Sequence, residues 1–148
     1  MAAYIFDLDG TLSNNLHRLP LLKAGKWEEY NQACHLDTPI DPTIAMLRLI
    51  KSAGHNVFIW SGRSNTERTA TVKWLLTHTG YEFTENDLWM RDNRLNNAEL
   101  KLSWLKDLDA KLLQGLKKGA IFDDQPDTVA MFRNQGFVCY DVGSTLFN

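Results

Sequence analysis

The feature that most constrains this chain is where its apolar runs end. The stretch "YIFDLDGTLS", Tyr4 to Ser13, runs from apolar residues into Asp7 and Asp9, one residue apart, and turns on Gly10-Thr11. "NVFIWSGR" ends on Ser61-Gly62-Arg63, and "GAIFDDQPD" ends on Asp123-Asp124. The segments between them have helical character. "PTIAMLRLIKSAG" repeats Ile44, Leu47 and Ile50 at helical spacing, with Pro42 suited to a first turn and Gly54 to a stop. "NTERTATVKWLLTHTG" starts after Ser64 or Asn65, either a plausible N-cap, and closes on Gly80. "DLWM", "NAELKLSWLKDL", "PDTVAMFRNQG" and "FVCYDVG" then read as strand, helix, helix and strand. Short apolar strands alternating with helices predict a three-layer α/β fold with a central parallel sheet and right-handed crossovers. In such a sheet the carboxyl ends of the strands converge on the ligand crevice, which is where these polar residues fall.

The pair Asp7 and Asp9 carries a physical demand of its own. On a strand their side chains project to one side, about 6–7 Å apart along the backbone. Like charges that close repel unless a cation sits between or beside them. The sequence therefore asks what ion or reaction offsets that repulsion, and Asp123-Asp124 adds further acids at the end of another apolar run.

Composition narrows the classes. A chain of 148 residues with 44% hydrophobic and 23% charged residues suits one globular domain. A formal net charge of -2 argues against a long non-specific nucleic-acid groove, though not against a nucleic-acid end held by a few arginines. Cys34 and Cys139 form no CxxC or zinc-like pattern and read as buried thiols. No basic leader with a long apolar stretch opens the sequence, and no run reaches the ~18 apolar residues of a membrane span, so a cytoplasmic protein is expected.

Taken in order, "DLDGT", the serine of "SGR", Lys101 in "AELK" and "IFDDQPD" resemble the four motifs of the haloacid dehalogenase (HAD) superfamily of phosphotransferases. The resemblance implies a Rossmannoid HAD-like domain over residues 1–148 with a small helical cap insert at about 13–39. It implies that Asp7 attacks phosphorus and forms an aspartyl-phosphate. Asp9 would protonate the leaving oxygen and then deprotonate water, with its pKa raised by the neighbouring carboxylates. Gly10 would let the backbone turn closely around the phosphate. Ser61 would donate to a phosphoryl oxygen, or cap the following helix, and Lys101, rather than the nearby Lys106, would offset charge between Asp7 and the phosphoryl group. Thr11, Gly62 and Arg63 would contact substrate. Mg²⁺ is the implied cofactor, held by the Asp7 carboxylate, the Asp9 backbone carbonyl and Asp124, with Asp123 and Asp127 orienting its waters or Lys101.

Within that superfamily, "FDLDGTLSNNLHR", "WEEYNQACHLDTPI", "WSGRSNTERTATVKWL", "LWMRDNR", "AELK" and "IFDDQPDTVAMFRNQG" resemble the 3′-phosphatase domain of bacteriophage-type polynucleotide kinase/phosphatases. A small insert leaves such a site open to a polymer end. Arg18 and Arg63 become candidate phosphate clamps, a surface arginine being the alternative for Arg18. Trp27, Tyr30 and Trp60 are candidate base-stacking residues, with a core role as the alternative. His17 reads as a positioning or structural residue. Two departures stand out: no GxxxxGK[ST] P-loop occurs, so no ATP-dependent kinase activity is expected, and Asn97 stands where relatives often carry aspartate. The expected activity is Mg²⁺-dependent removal of 3′-phosphate from DNA or RNA ends, and the alternative is a phosphatase of free nucleotides. A non-catalytic module of the same fold would typically have lost a key acid, and none is lost.

Overall fold

The structure is a computed structural model that describes residues 1–111 and 115–143. Its centre is a five-stranded sheet built from β1 (Ala2–Phe6), β4 (Asn56–Ser64), β5 (Leu88–Arg91), β6 (Lys117–Asp123) and β7 (Val138–Asp141), in the order β5-β4-β1-β6-β7. Every neighbouring pair is parallel, as the alternating pattern predicts. The two remaining strands, β2 (Ser13–Asn14) and β3 (Thr38–Pro39), pair antiparallel with each other, Ser13 opposite Pro39.

Strand alternation sorts the core into two layers. In β4, Val57 and Ile59 face one side, with Ile44 and Leu47 of α3 (Asp41–Ser52) and Trp74 and Leu75 of α4 (Arg68–Thr79). Phe58 and Trp60 face the other, with Leu100, Trp104, Leu105 and Leu108 of α5 (Asn97–Lys111) and Val129 and Phe132 of α6 (Pro126–Asn134). A strand buried on both faces is apolar throughout, which explains the unbroken "VFIW". Trp60 is fully buried, stacked on Trp89 at 5.2 Å, so it belongs to this core and not to a base-stacking surface.

Helix boundaries follow local chemistry. Pro42 occupies the first turn of α3, and Gly54 beyond it adopts φ +90°, a conformation without Cβ penalty only for glycine. The Ser64 hydroxyl accepts a hydrogen bond from the Thr66 amide, so Ser64 rather than Ser61 caps the turn that leads into α4. The Asn96 side chain accepts from the Glu99 amide and starts α5, which places Lys101 on the face toward the sheet. At Gly119 a Cβ would lie 2.6 Å from the Ala3 carbonyl, where the β1–β6 register shifts, so the two strands approach closely only because that side chain is missing.

α3 and α4 cover one face and α5 and α6 the other, so the chain leaves β1 and β6 toward opposite faces. A crevice opens at the carboxyl ends of strands where connections diverge in this way. Between β2 and β3 the chain forms α1 (Leu19–Lys23) and α2 (Trp27–Gln32), flanked by single 3₁₀ turns at Leu16–Arg18 and Ala33–Leu36. This helical segment stands over the same strand ends. Among the described residues no helix is long and apolar enough to cross a membrane. Cys34 and Cys139 are buried free thiols, and burial pushes the Cys139 thiol up to about 12.

Candidate active site

Two charge clusters sit side by side at the strand ends, and they differ in balance. In the first, carboxylate oxygens of Asp7, Asp123 and Asp124 lie within 4.8 Å of one another. Lys101 reaches in from α5, its Nζ 2.9 Å from Asp7 Oδ1 and 2.7 Å from Asp123 Oδ2. Asp123 is further fixed because its Oδ1 accepts from the Gln125 amide at 3.0 Å. Thr11 Oγ1 lies 3.4 Å from Asp7 Oδ2 and 3.3 Å from Asp124 Oδ1, so its one proton serves one acid at a time. Three carboxylates thus face one ammonium.

That imbalance shows in the protonation energetics. Burial lifts the Asp7 carboxyl well above the ordinary range; Lys101 opposes the rise and Asp124 adds to it. Burial and the Asp7 charge raise Asp123 to about 6 against Lys101. Asp124 is raised as well, chiefly by burial. Burial alone would lower Lys101, yet Asp123 and Asp7 overcome it and hold the ammonium more firmly protonated than usual.

In the second cluster the charges cancel. Asp9 Oδ1 accepts from Arg18 Nη2 at 2.6 Å and from Arg63 Nη2 at 2.5 Å. The second carboxylate is Asp37, from the end of the helical segment, whose side chain is fully buried. Its Oδ1 accepts from Arg18 Nε, its Oδ2 from Arg18 Nη2, both at 2.8 Å, and Arg63 Nη2 lies 3.3 Å from Oδ2. Two guanidiniums therefore meet two carboxylates. Thr71 of α4 receives Arg63 Nη1 at 3.0 Å, and the Tyr30 ring lies 4.3 Å under the Arg18 guanidinium. Although burial works against it, Arg63 and Arg18 hold the Asp9 carboxyl below the ordinary range. The sequence-based expectation for Asp9 was the opposite. The carboxylates expected to raise it lie on the other side, while two guanidiniums touch it directly.

Burial and hydrogen bonding define the setting of the other expected site residues as well. Arg18 is not a surface arginine: it is fully buried, and its fork is spent on Asp9, Asp37 and the Tyr30 carbonyl. Arg63 is also buried, so neither guanidinium stands free for phosphate in this arrangement. Ser61 is fully buried and accepts from the Arg63 amide at 3.0 Å, which orients the Arg63 backbone and leaves its own proton unassigned. Gly62 and Arg63 line the cavity above the acids. A Cβ on Gly62 would lie 2.3 Å from Asn97 Oδ1 and 3.1 Å from Arg91, so only glycine fits there without displacing them. Asp127 lines the cavity too, and its Oδ1 accepts from the Thr128 amide at 2.9 Å. His17 Nε2 lies 2.8 Å from Asp37 Oδ1, a positioning contact. Trp27 is 64% exposed on the cavity wall, whereas Tyr30 supports Arg18.

Sequence reasoning missed three participants. Asp37 lay inside a quoted stretch, but an acid in a loop gives no local sign of burial. Arg91 donates from Nε to the Gly62 carbonyl at 2.8 Å and from its two Nη atoms to Leu95 O and Asn97 Oδ1, tying β5 to α5. Gly143 packs against the acid loop, since a Cβ there would lie 2.4 Å from the Asp124 carbonyl.

The first cluster suits a small divalent cation. Its donors are hard oxygens, Asp123 is already committed to Lys101, and Asp7 and Asp124 border the cavity. The raised carboxyls and the uncompensated charge are what a cation would relieve.

A family description for the polynucleotide kinase PNKP phosphatase domain matches residues 1–147. Among solved structures, a chain of the Pnkp1/Rnl/Hen1 RNA repair complex is similar with TM-score 0.74 and 26% identity, over 95% of this chain and 42% of that one. A second structure of the Pnkp1/Rnl/Hen1 complex gives TM-score 0.71 and 27% identity, over 95% and 45%. This chain spans less than half the length of either. The Class C acid phosphatase from Bacillus anthracis shares the fold, with TM-score 0.64, 21% identity, and coverage of 91% and 59%. A search of the curated proteins found no match.

Proposed function

From the premise that this chain belongs to the polynucleotide kinase PNKP phosphatase domain family, we propose that it is a Mg²⁺-dependent phosphomonoesterase that removes 3′-phosphate from DNA or RNA ends. The observation that carries the reading is the imbalance between the two clusters. Three carboxylates share one lysine beside an open cavity, while the adjacent acids are matched by arginines. Such a site accepts a cation on one side and an ester phosphate on the other.

Asp7 is the proposed nucleophile. Lys101 at 2.9 Å keeps one of its oxygens oriented, which leaves the other for attack on phosphorus, and the P–O ester bond breaks as the aspartyl-phosphate forms. Asp7, Asp124 and the Asp9 carbonyl are the proposed holders of Mg²⁺, which when bound supplies Lewis-acid charge neutralisation at the phosphoryl oxygens. Asp9 is the proposed acid for the leaving oxygen and the base for the incoming water. Of the two arginines that hold Asp9, Arg63 lines the cavity, so an arriving phosphate offers it a competing anion. As the hold of Arg63 on Asp9 slackens, the Asp9 carboxyl rises toward a range in which it carries a proton.

The test is phosphate release from a 3′-phosphorylated oligonucleotide, a 5′-phosphorylated one and free nucleotides, with Mg²⁺ and with chelator. Metal-dependent preference for the 3′-phosphorylated end is expected. Equal or better turnover of mononucleotides would overturn the polymer-end assignment and leave a nucleotide phosphatase.

A further inference from the structure

Four buried side-chain atoms lack a hydrogen-bond partner among the described residues: Asn15 Oδ1, Trp60 Nε1, Arg68 Nη1 and Thr128 Oγ1. Of these residues only Asn15 lines the cavity above the acids. It is 6% exposed and directly precedes the 3₁₀ turn that carries Arg18, whose amide donates to the Asn15 carbonyl at 3.1 Å. One end of its side-chain amide is spent, because Nδ2 donates to Tyr30 Oη at 3.0 Å. Tyr30 is held in turn, its ring 4.3 Å under the Arg18 guanidinium, and Arg18 donates to Asp9 Oδ1 at 2.6 Å. The Asn15 amide is therefore fixed in the cavity wall and linked to Asp9 through Tyr30 and Arg18, with its oxygen unanswered.

A buried amide oxygen without a donor is unfavourable, and a ligand that donates to it recovers the loss. Such an acceptor also selects among ligand groups, since it repels phosphate oxygens and requires an O–H or N–H. At a 3′-phosphorylated end the leaving oxygen, which Asp9 is proposed to protonate, is O3′. In RNA the neighbouring carbon carries the 2′-hydroxyl, a donor common to all four nucleotides, and in DNA it carries only hydrogen. The donors of the bases lie at their edges and change from base to base. We propose that Asn15 is a specificity residue whose Oδ1 accepts a hydrogen bond from the 2′-hydroxyl of the terminal ribose, so that the cavity favours RNA ends over DNA ends. This assignment rests on the 3′-end reading above and deepens it by naming the sugar. A hydroxyl both donates and accepts, so it satisfies the unpaired end of the amide in either orientation of the Asn15 side chain.

The experiment measures kcat/KM for 3′-phosphorylated oligonucleotides of one sequence whose terminal sugar carries 2′-hydroxyl, 2′-fluorine or 2′-hydrogen, in the wild-type protein and in Asn15→Leu. Fluorine keeps the inductive pull on the leaving oxygen but donates no hydrogen bond, so it separates the contact from the reactivity of the ester. One hydrogen bond to a buried acceptor predicts a wild-type preference for the 2′-hydroxyl of about tenfold over either analogue. In Asn15→Leu that preference falls to about threefold or less. A residue that only supported Tyr30 would lower kcat/KM for all three ends alike and leave the ratios where they were. A wild-type preference below about threefold, a 2′-fluoro end hydrolysed as well as the 2′-hydroxyl end, or ratios unchanged in folded Asn15→Leu overturns the ribose contact while leaving 3′-end hydrolysis intact. The first two of these outcomes need no variant. Failure of the wild-type protein to release 3′-phosphate from any of the three ends, with other esters hydrolysed, overturns the 3′-end reading and the ribose contact with it.

Discussion

Replacing Asp37 tests the buried arginine network most sharply. Asp37→Ala removes a fully buried carboxylate that accepts from Arg18 twice and lies near Arg63 and His17. What remains is two buried guanidiniums sharing the single carboxylate of Asp9. Breaking a buried ion pair by deleting one partner costs about 3–5 kcal/mol, because the surviving charge stays desolvated. Domain stabilities are only about 5–15 kcal/mol, so the loss should be conspicuous in urea unfolding followed by tryptophan fluorescence. Adding Arg18→Met should restore part of it, since removing the orphaned charge removes the penalty, and the double mutant should be more stable than additivity predicts. The same substitution concentrates both arginines on Asp9, which pushes its carboxyl further down and should depress turnover at neutral pH. A destabilisation below about 1 kcal/mol, or strict additivity with Arg18→Met, would refute the claim that this network is held by mutual charge compensation.

Further expectations concern the acid cluster and the core. Gly143→Ala should lower kcat/KM by about tenfold, because a Cβ would press on the Asp124 carbonyl from 2.4 Å; steady-state kinetics showing wild-type activity would count against that contact. In metal-free protein, Asp7, Asp123 and Asp124 are raised by folding, so their contribution is fully present below the unfolded carboxylate pKa and is lost as pH rises through the folded values. For Asp123, a rise from 3.8 to about 6 amounts to about 3 kcal/mol. Mg²⁺ should therefore raise Tm more at pH about 7.5 than at pH about 5, and an equal gain by thermal melts would contradict the coupling. Trp60→Ala should cost about 3–5 kcal/mol in urea unfolding, whereas Trp27→Ala should stay within about 0.5 kcal/mol, as core and surface positions require.

Much of the architecture was legible because local signals agreed. Each apolar run that ended on acids or Ser-Gly-Arg became a parallel strand, and Pro42, Gly54, Gly80, Pro126 and Gly136 fell at helix ends. Lys101 was distinguishable from Lys106 by its place in the motif order, and burial separates the two, Lys101 inside and Lys106 exposed. What stayed hidden depended on contacts between distant residues. Asp37 meets Arg18 and Arg63 only because β2 and β3 bring the two ends of the helical segment together beside β4. The direction of the Asp9 shift follows from those arginines, so a reading of neighbouring acids gave the wrong sign. Trp60 could have been recognised as core from its place in a strand apolar on both faces, whereas Trp27 opens a six-residue helix with no buried residue, too short for a local pattern to tell its inner side from its outer one.

The most direct test of the central claim is phosphoryl transfer to Asp7. A 3′-³²P-labelled oligonucleotide is mixed with the protein and Mg²⁺, quenched in acid, and the label on protein is measured beside released phosphate, for wild type and Asp7→Asn. The account predicts protein-bound label that hydroxylamine removes, and neither label nor turnover in a folded Asp7→Asn protein. Turnover by Asp7→Asn within about tenfold of wild type would contradict Asp7 as the nucleophile.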